Sequence, residues 1–377
     1  MVTQPADIQR IARLTPIADV LARIVALVQP VEARPIDKVR AGHVVVDAVI
    51  RTPSPPVPIA LRDGWAVPSE LTSDASSYAP APVPSAIAIE VGQALPGDAD
   101  AVAPADLVVA RGGMLEITAP VTPGEAVLPV GADARPGTFA LREQRRLTRV
   151  QVAVLTALRG AAPELLVREP RLCLAVDRTG ADAMIEATAN LLAAEVEAAG
   201  ATVRGGQGAG QTVPLEQALQ NESADAVIAI GGTGSGGSDH SVQTLARLGR
   251  VDVYGIALSP GETAAVGFVG SRPVLLLPGR LDAALAVWLV LGRPLVRCLA
   301  GALDEEQSWR AKLSRKVSST LGLTELVPVC MRAGSVEPTA SAYVPLSILA
   351  QADGWILIPP ESEGFPAGTE VNVRSWS

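Results

Sequence analysis

Ile17, Val20, Leu21, Ile24, Val25 and Val28 recur at helical spacing among polar residues, which predicts one amphipathic helix with Thr15 as its cap and Pro16 at its first helical position. From His43 to Ile50 β-branched residues take over. Between Thr52 and Arg142 short strand-like runs (VPSAIAIEVG, DLVVARG, MLEITAP, FALRE) alternate with frequent Pro and Gly, the pattern of a small β-rich unit. A second helix is expected from Thr148 to about Leu158, ending at Gly160. Beyond it, apolar runs at Leu172–Val176, Ala226–Ile230, Val251–Leu258, Ala265–Phe268 and Val274–Leu277 are interspersed with helical stretches at Asp182–Ala199, Ser238–Leu248 and Leu281–Leu299. Strands apolar on both faces, set between helices, predict a doubly wound α/β domain. After Asp304 the runs TELVPVCM, GWILIPP and EVNVRSW return to a β pattern. These changes divide the chain into a helical linker region (1–44 and 141–167), a β-rich insertion (45–140), an α/β domain (168–303) and a C-terminal β domain (304–377).

Composition narrows the function classes. With 48% hydrophobic and 19% charged residues the chain is neither disordered nor fibrous. A net charge of −8 argues against a general binder of nucleic acid or anionic membranes. The opening MVTQPADIQRIARL has charges where a signal peptide needs apolar residues, and Leu281–Ala300 is interrupted by Asp282, Arg293 and Arg297, so a soluble cytoplasmic protein is expected. Cys173, Cys298 and Cys330 have no metal-ligand spacing and read as reduced thiols. Lysine is rare (Lys38, Lys312 and Lys316), so cationic contacts fall to arginine.

The densest chemical signal is DAVIAIGGTGSGGSDH, in which an apolar strand runs straight into Gly231, Gly232, Thr233, Gly234, Ser235, Gly236 and Gly237. Glycines let a backbone approach a ligand closely, and a helix start offers unpaired N–H groups, an arrangement that binds anions. Asp239, read into the first turn of that helix, has three roles open to it: cap, Mg²⁺ ligand or contact to a polar ligand. Gly232, Gly234 and Gly237 fit G-x-G-x-x-G, but no ribose-binding acid stands at Ala257–Ser259 and no P-loop lysine follows the last glycine. A second turn, Pro278, Gly279 and Arg280, ends another apolar strand, and two such turns can border one crevice. Arg280 is either an anion clamp or an ordinary surface arginine. In the β-rich part Asp63, Asp98 and Asp100 are candidate acid, base or metal groups, although turn aspartates before glycine are common. His43 reads as structural, and His240 borders the glycine loop. Neither GxSxG nor HExxH occurs.

At these motifs the chain resembles the molybdopterin molybdenumtransferase family, which includes bacterial MoeA and the E domain of gephyrin. LRDGWAV is similar to the family's S-A-M-D-G-Y-A-V and VGQALPGDADAV to T-G-A-x-L-P-x-G-A-D-A-V. GGTGSGGSD resembles G-G-V-S-x-G-x-x-D, and ALSPGETAAVGFVGSRPVLLLPGRLDAALA parallels A-x-x-P-G-K-P-x-x-x-G…x-x-L-P-G-N-P-x-S-A. The tail PLSILAQADGWILIPPESEGFPAGTEVNV matches the family's last domain. The resemblance implies a multidomain α/β plus β fold: a doubly wound molybdopterin-binding α/β domain, a β-rich inserted domain, a C-terminal small β-barrel domain and a helical linker region.

It further implies an elongated homodimer that inserts molybdate into adenylylated molybdopterin (molybdopterin-AMP) with Mg²⁺ assistance and release of AMP, with other proteins of the molybdenum-cofactor pathway as partners. On this reading Gly231–Gly236 and Pro278, Gly279 and Arg280 bind the pterin-side phosphate. Asp239, Asp63 and Asp182 are catalytic, Asp239 and Asp63 also metal-binding, with Asp63 acting across the dimer interface and Asp182 a shorter stand-in for the glutamate of S-T-G-D-E-L. Departures accompany the matches: Val91 stands for the family's threonine, Ile230 for a serine and Glu262 for the lysine of P-G-K-P. Arg280, in place of an asparagine, is expected to supply the compensating cation. A working transferase is thus set against a catalytically impaired paralogue that binds molybdopterin or a protein partner. A nicotinamide-type oxidoreductase is a third reading, carried by the glycine spacing.

Overall fold

In the computed structural model, which describes residues 9–137, 141, 144–158, 163–177, 182–205, 212–303, 306–332 and 334–376, the apolar runs of the α/β part become neighbours in one seven-stranded sheet. Arg171–Val176, Ala226–Ile230 and Arg272–Leu277 lie parallel at its centre, with Val176 level with Ile230 and Ile230 level with Leu277. Their ends share one carboxyl edge, where an open α/β sheet leaves room for a ligand. Beyond Arg272–Leu277 the sheet turns antiparallel through Ala265–Val269 and Arg250–Tyr254. Successive residues of a strand face opposite sides. Leu172, Ile228 and Leu275 accordingly enter one core, while Cys173, Val227 and Leu276 fill the other. All three cysteines are free, with Cys298 only partly buried.

Several predicted boundaries move for identifiable reasons. Val251–Leu258 is not one strand. Arg250–Tyr254 belongs to the α/β sheet, whereas Leu258–Ser259 pairs in parallel with Thr324 and Glu325 of the C-terminal domain. The break falls at Gly255, whose φ of 93° suits glycine and where a Cβ would lie 2.3 Å from Ile11 Cγ2. Thr15 does not cap the first helix. Its backbone bridges to Gly255 and Ala257, and Pro16 becomes the N-cap of Ile17–Leu27. The helix after the glycine loop starts at Ser241 instead of Ser238.

Leu281–Ala300 is continuous but contains a π-helical turn at Trp288–Gly292. Gly292 lets the Trp288 ring pack where a Cβ would lie 2.2 Å away. This helix is long and apolar enough to cross a membrane, but 78% of its most apolar window is buried inside the fold. The helix Asp182 was expected to open spans Ala183–Ala198, and the second predicted helix spans Arg149–Ala157 behind a Thr148/Gln151 capping box. The predicted strand FALRE and the stop at Gly160 lie largely or wholly outside the described residues.

The inserted part holds two three-stranded antiparallel sheets built on Gly64–Val67 and Met114–Ile117. The linker region is not wholly helical, because Val44–Val49 pairs with Glu164–Arg168, which also pairs with Arg34–Pro35. At the C-terminal end Thr324–Arg332 pairs with both Ser335–Pro338 and Gly354–Ile358. Ser308–Leu313 pairs with Ser335–Pro338 and Glu370–Arg374, and Trp355 meets Arg374, so the five strands close into a barrel.

Candidate functional site

The two glycine turns do meet. A Cβ built on Gly279 would lie 3.5 Å from the Gly231 Cα, and the Ile185 Cδ1 touches both positions. The register that levels Ile230 with Leu277 brings Gly231 beside Pro278 and Gly279, and the Gly231 amide donates to the Leu277 carbonyl at 2.9 Å. Gly231 and Gly232 take φ of 86° and 70°, so the chain reverses immediately after the strand. At Gly232 no side chain fits: a Cβ would lie 2.3 Å from Asp177 Oδ2 and 2.5 Å from Ser241 Oγ.

Four consecutive carbonyls of this loop are fastened to donors in the protein. Ser241 Oγ donates to the Gly231 carbonyl at 2.7 Å. The Gly232 carbonyl accepts the Ser241 amide at 3.0 Å and Gln9 Nε2 at 2.9 Å. Tyr254 donates its hydroxyl to Thr233 at 2.9 Å, and Gln9 Nε2 donates to Gly234 at 2.9 Å. Across a trans peptide the carbonyl of one residue and the amide of the next point in opposite directions. The amides of Gly232, Thr233, Gly234 and Ser235 are therefore turned away from these donors. Successive backbone amides left without these partners are the kind of group that can bind an anion, although Thr233 itself is buried. Burial, and secondarily the charge of Asp239, raise the Tyr254 pKa, keeping it a neutral donor. The Thr233 hydroxyl meets that of Thr263 at 3.0 Å.

The helix-start amides are not free, contrary to the sequence expectation. Val242 and Gln243 donate to Gln9 Oε1 at 2.8 and 3.2 Å. The short polar side chains that usually cap a helix are replaced here by a residue remote in sequence. Asp239 lies before the helix instead of in its first turn, with Oδ2 accepting the Gly236 amide at 2.9 Å. His240 occupies the N-cap position without a side-chain cap bond.

Arg280, read as an anion clamp or an ordinary surface arginine, is half-exposed and paired. Its Nε and Nη2 meet Asp282 Oδ1 and Oδ2 at 3.1 and 2.5 Å, and its guanidinium lies 4.6 Å from the centroid of the Tyr343 ring. The Asp282 hydrogen bond raises the Arg280 pKa, and Asp282, which is buried, also accepts the Val344 amide. The charge of Glu262, which Arg280 was expected to offset, also contributes to raising the Arg280 pKa, after Asp282 and Tyr343.

The other candidates are held locally. Asp182 N-caps its helix, Oδ1 accepting the Met184 amide at 2.9 Å and the Ile185 amide at 3.4 Å. Asp63 Oδ1 accepts the Val91 amide at 2.8 Å, within the inserted domain, so two of the motifs quoted above meet there. Asp100 accepts the amide and hydroxyl of Ser69, while the exposed Asp98 stands apart. His43 is buried against Glu169, and burial followed by the charge of Arg40 lowers its pKa. Among the described residues no three His, Cys, Asp or Glu gather to hold a metal.

Gln9, Asp177, Ser241 and Tyr254 were not singled out from the sequence. Asp177 follows an apolar strand ending at the same edge as Gly231, a usable signal, whereas Gln9 and Tyr254 arrive by long-range packing. A hollow of about 250 Å³ away from the glycine turns, between the α/β and C-terminal domains, is lined by Ser259, Ser319, Ser341 and the buried Glu325.

Three family models match in chain order: the MoeA N-terminal region (domains I and II) over residues 15–158, a probable molybdopterin binding domain over 172–298, and the MoeA C-terminal region (domain IV) over 310–376. The chain belongs to the MoeA family. Molybdopterin molybdenumtransferase 2 of Mycobacterium tuberculosis is 28% identical over 364 residues, covering 82% of this chain and 86% of that protein. Molybdopterin molybdenumtransferase of Haemophilus influenzae is 26% identical over 264 residues, covering 65% and 63%. The crystal structure of the molybdopterin biosynthesis MoeA protein from Pyrococcus horikosii superposes with a TM-score of 0.68 at 24% identity, over 97% of this chain and 100% of that one. Within this family fold both glycine turns fall inside the segment matched by the molybdopterin binding domain.

Proposed function

We propose that the chain inserts molybdate into adenylylated molybdopterin with release of AMP, as a step of molybdenum cofactor biosynthesis in the cytoplasm. Family membership and the names of the curated relatives support this reading over a paralogue that only binds. The observation that carries it in this chain is the fastening of four consecutive loop carbonyls, from which we infer that the amides of Gly232, Thr233, Gly234 and Ser235 supply hydrogen-bond donors for a phosphate without requiring a free cation.

The roles divide between two regions. The loop amides hold the pterin-side phosphate, with Pro278 and Gly279 closing the crevice wall. Ile185 rests on both turns, so Asp182 sets the wall by capping the Ile185 helix. Asp239 spends one carboxylate oxygen on the Gly236 amide and has the other for Mg²⁺. A site with few protein carboxylates fits Mg²⁺, which keeps waters and completes its shell with substrate phosphates. Bound there, the ion neutralises charge on the phosphate groups. Asp63, presented by the inserted domain, reaches the crevice of the second subunit of a homodimer and completes the acidic set.

The test is AMP release from adenylylated molybdopterin and molybdate by the purified protein. Molybdate-dependent AMP release that falls at least about 100-fold in Asp239→Asn supports the proposal. Binding of the substrate with no AMP release by the wild type contradicts it.

A further inference from the structure

We propose that Gln9 is a positioning residue for the phosphate-binding loop. The inference rests on the functional reading above and concerns how that site is kept in shape. Gln9 is buried, and its carboxamide has both hydrogens and both lone pairs engaged. It donates to the Gly232 and Gly234 carbonyls at 2.9 Å each and accepts from Val242 and Gln243 at 2.8 and 3.2 Å.

This single side chain therefore ties the two ends of the bend to the start of the following helix. Pulling the Gly232 and Gly234 carbonyls inward turns the Thr233 and Ser235 amides outward, because carbonyl and amide oppose each other across each trans peptide. Two of the four donors offered to the phosphate thus owe their direction to a residue 223 positions away in sequence. A phosphate seated against the bare helix start would have to displace this carboxamide, costing the Gly232 carbonyl one of its two donors and leaving the Gly234 carbonyl without the Gln9 donor. The phosphate seat is consequently the crest of the loop, with Gln9 as its buried strut. The strut is anchored in turn, since Ile11 packs against Gly255 and the Thr15 backbone bridges Gly255 and Ala257.

Gln9→Met keeps the shape of the side chain and removes all four hydrogen bonds. Direct titration of the full-length protein with adenylylated molybdopterin, alongside steady-state AMP release, tests the assignment. The expected result is a rise of about ten-fold or more in Kd and KM for the pterin substrate, with KM for molybdate unchanged. A lower melting temperature accompanies either role, since buried groups lose their partners; a purely structural contribution would weaken both substrates together, and that outcome overturns the assignment. So does a wild-type Kd in Gln9→Met. If Gln9→Met fails to fold, Gln9→Glu takes its place. It keeps the two bonds from Val242 and Gln243 but sets a carboxylate against two carbonyls, and the same loss of pterin affinity is expected. The titration decides the role of Gln9, while absence of AMP release by the wild type counts against the catalytic reading alone.

Discussion

The two turns at the carboxyl edge of the α/β sheet have the same local grammar, an apolar strand followed by glycine and then a helix, yet they are built for different tasks. In the turn after Ile230 four carbonyls are bound by Ser241, Gln9 and Tyr254, and the amide that follows each one points away from that donor. In the turn after Leu277 the conspicuous group is the cation of Arg280, and Asp282 together with the Tyr343 ring already engages it. Anion binding here depends on which groups the surrounding protein leaves available, and an arginine at a strand end is no guarantee of a free charge.

The widest gap between the turns should appear on adding one methyl group. Gly232→Ala forces a side chain onto a φ of 70° and into Asp177, so loss of pterin binding by about 100-fold or more is expected. Gly279→Ala meets mainly the flexible end of Ile185 at 3.3 Å and should stay within about 3-fold of the wild type. Equal effects in a binding titration would erase the distinction.

Next in size is Tyr254→Phe, which removes the donor that holds the Thr233 carbonyl. A net loss of about 1 kcal/mol, roughly 5-fold in pterin affinity, is expected in the same titration. Asp282→Asn should act in the opposite direction. It keeps an acceptor for the Val344 amide but releases the Arg280 charge, tightening binding by about 3-fold. Smallest of all is Arg280→Ala, expected to change affinity by no more than about 3-fold because its charge is already offset by the buried Asp282 carboxylate. A 100-fold loss there would restore the clamp role that spacing alone allowed.

The fold was legible wherever hydrophobic period and turn residues agreed. The Ala226–Ile230 strand and the helices expected from Asp182 and Thr148 follow from local pattern. The predicted Val251–Leu258 strand failed because an apolar run carries no record of which sheet it joins, and the break at Gly255 exists to admit Ile11. At the site, the glycine loop and its neighbouring turn were readable, since strand ends and glycines are local signals. The direction of the amides was not, because it is set by Gln9 and Tyr254 from distant parts of the chain. Nor was the pairing of Arg280, although Asp282 stands two residues away, because charge counting does not say where a side chain folds back.

The account turns on the outward amides of Gly232, Thr233, Gly234 and Ser235. Amide chemical shifts of the isotope-labelled protein, followed as adenylylated molybdopterin is added, test them directly. The four resonances should move together and saturate with the ligand, while those of Val242 and Gln243 stay nearly still behind Gln9. Movement confined to Val242 and Gln243, with the four loop amides unchanged, would place the phosphate at the helix start and contradict the account.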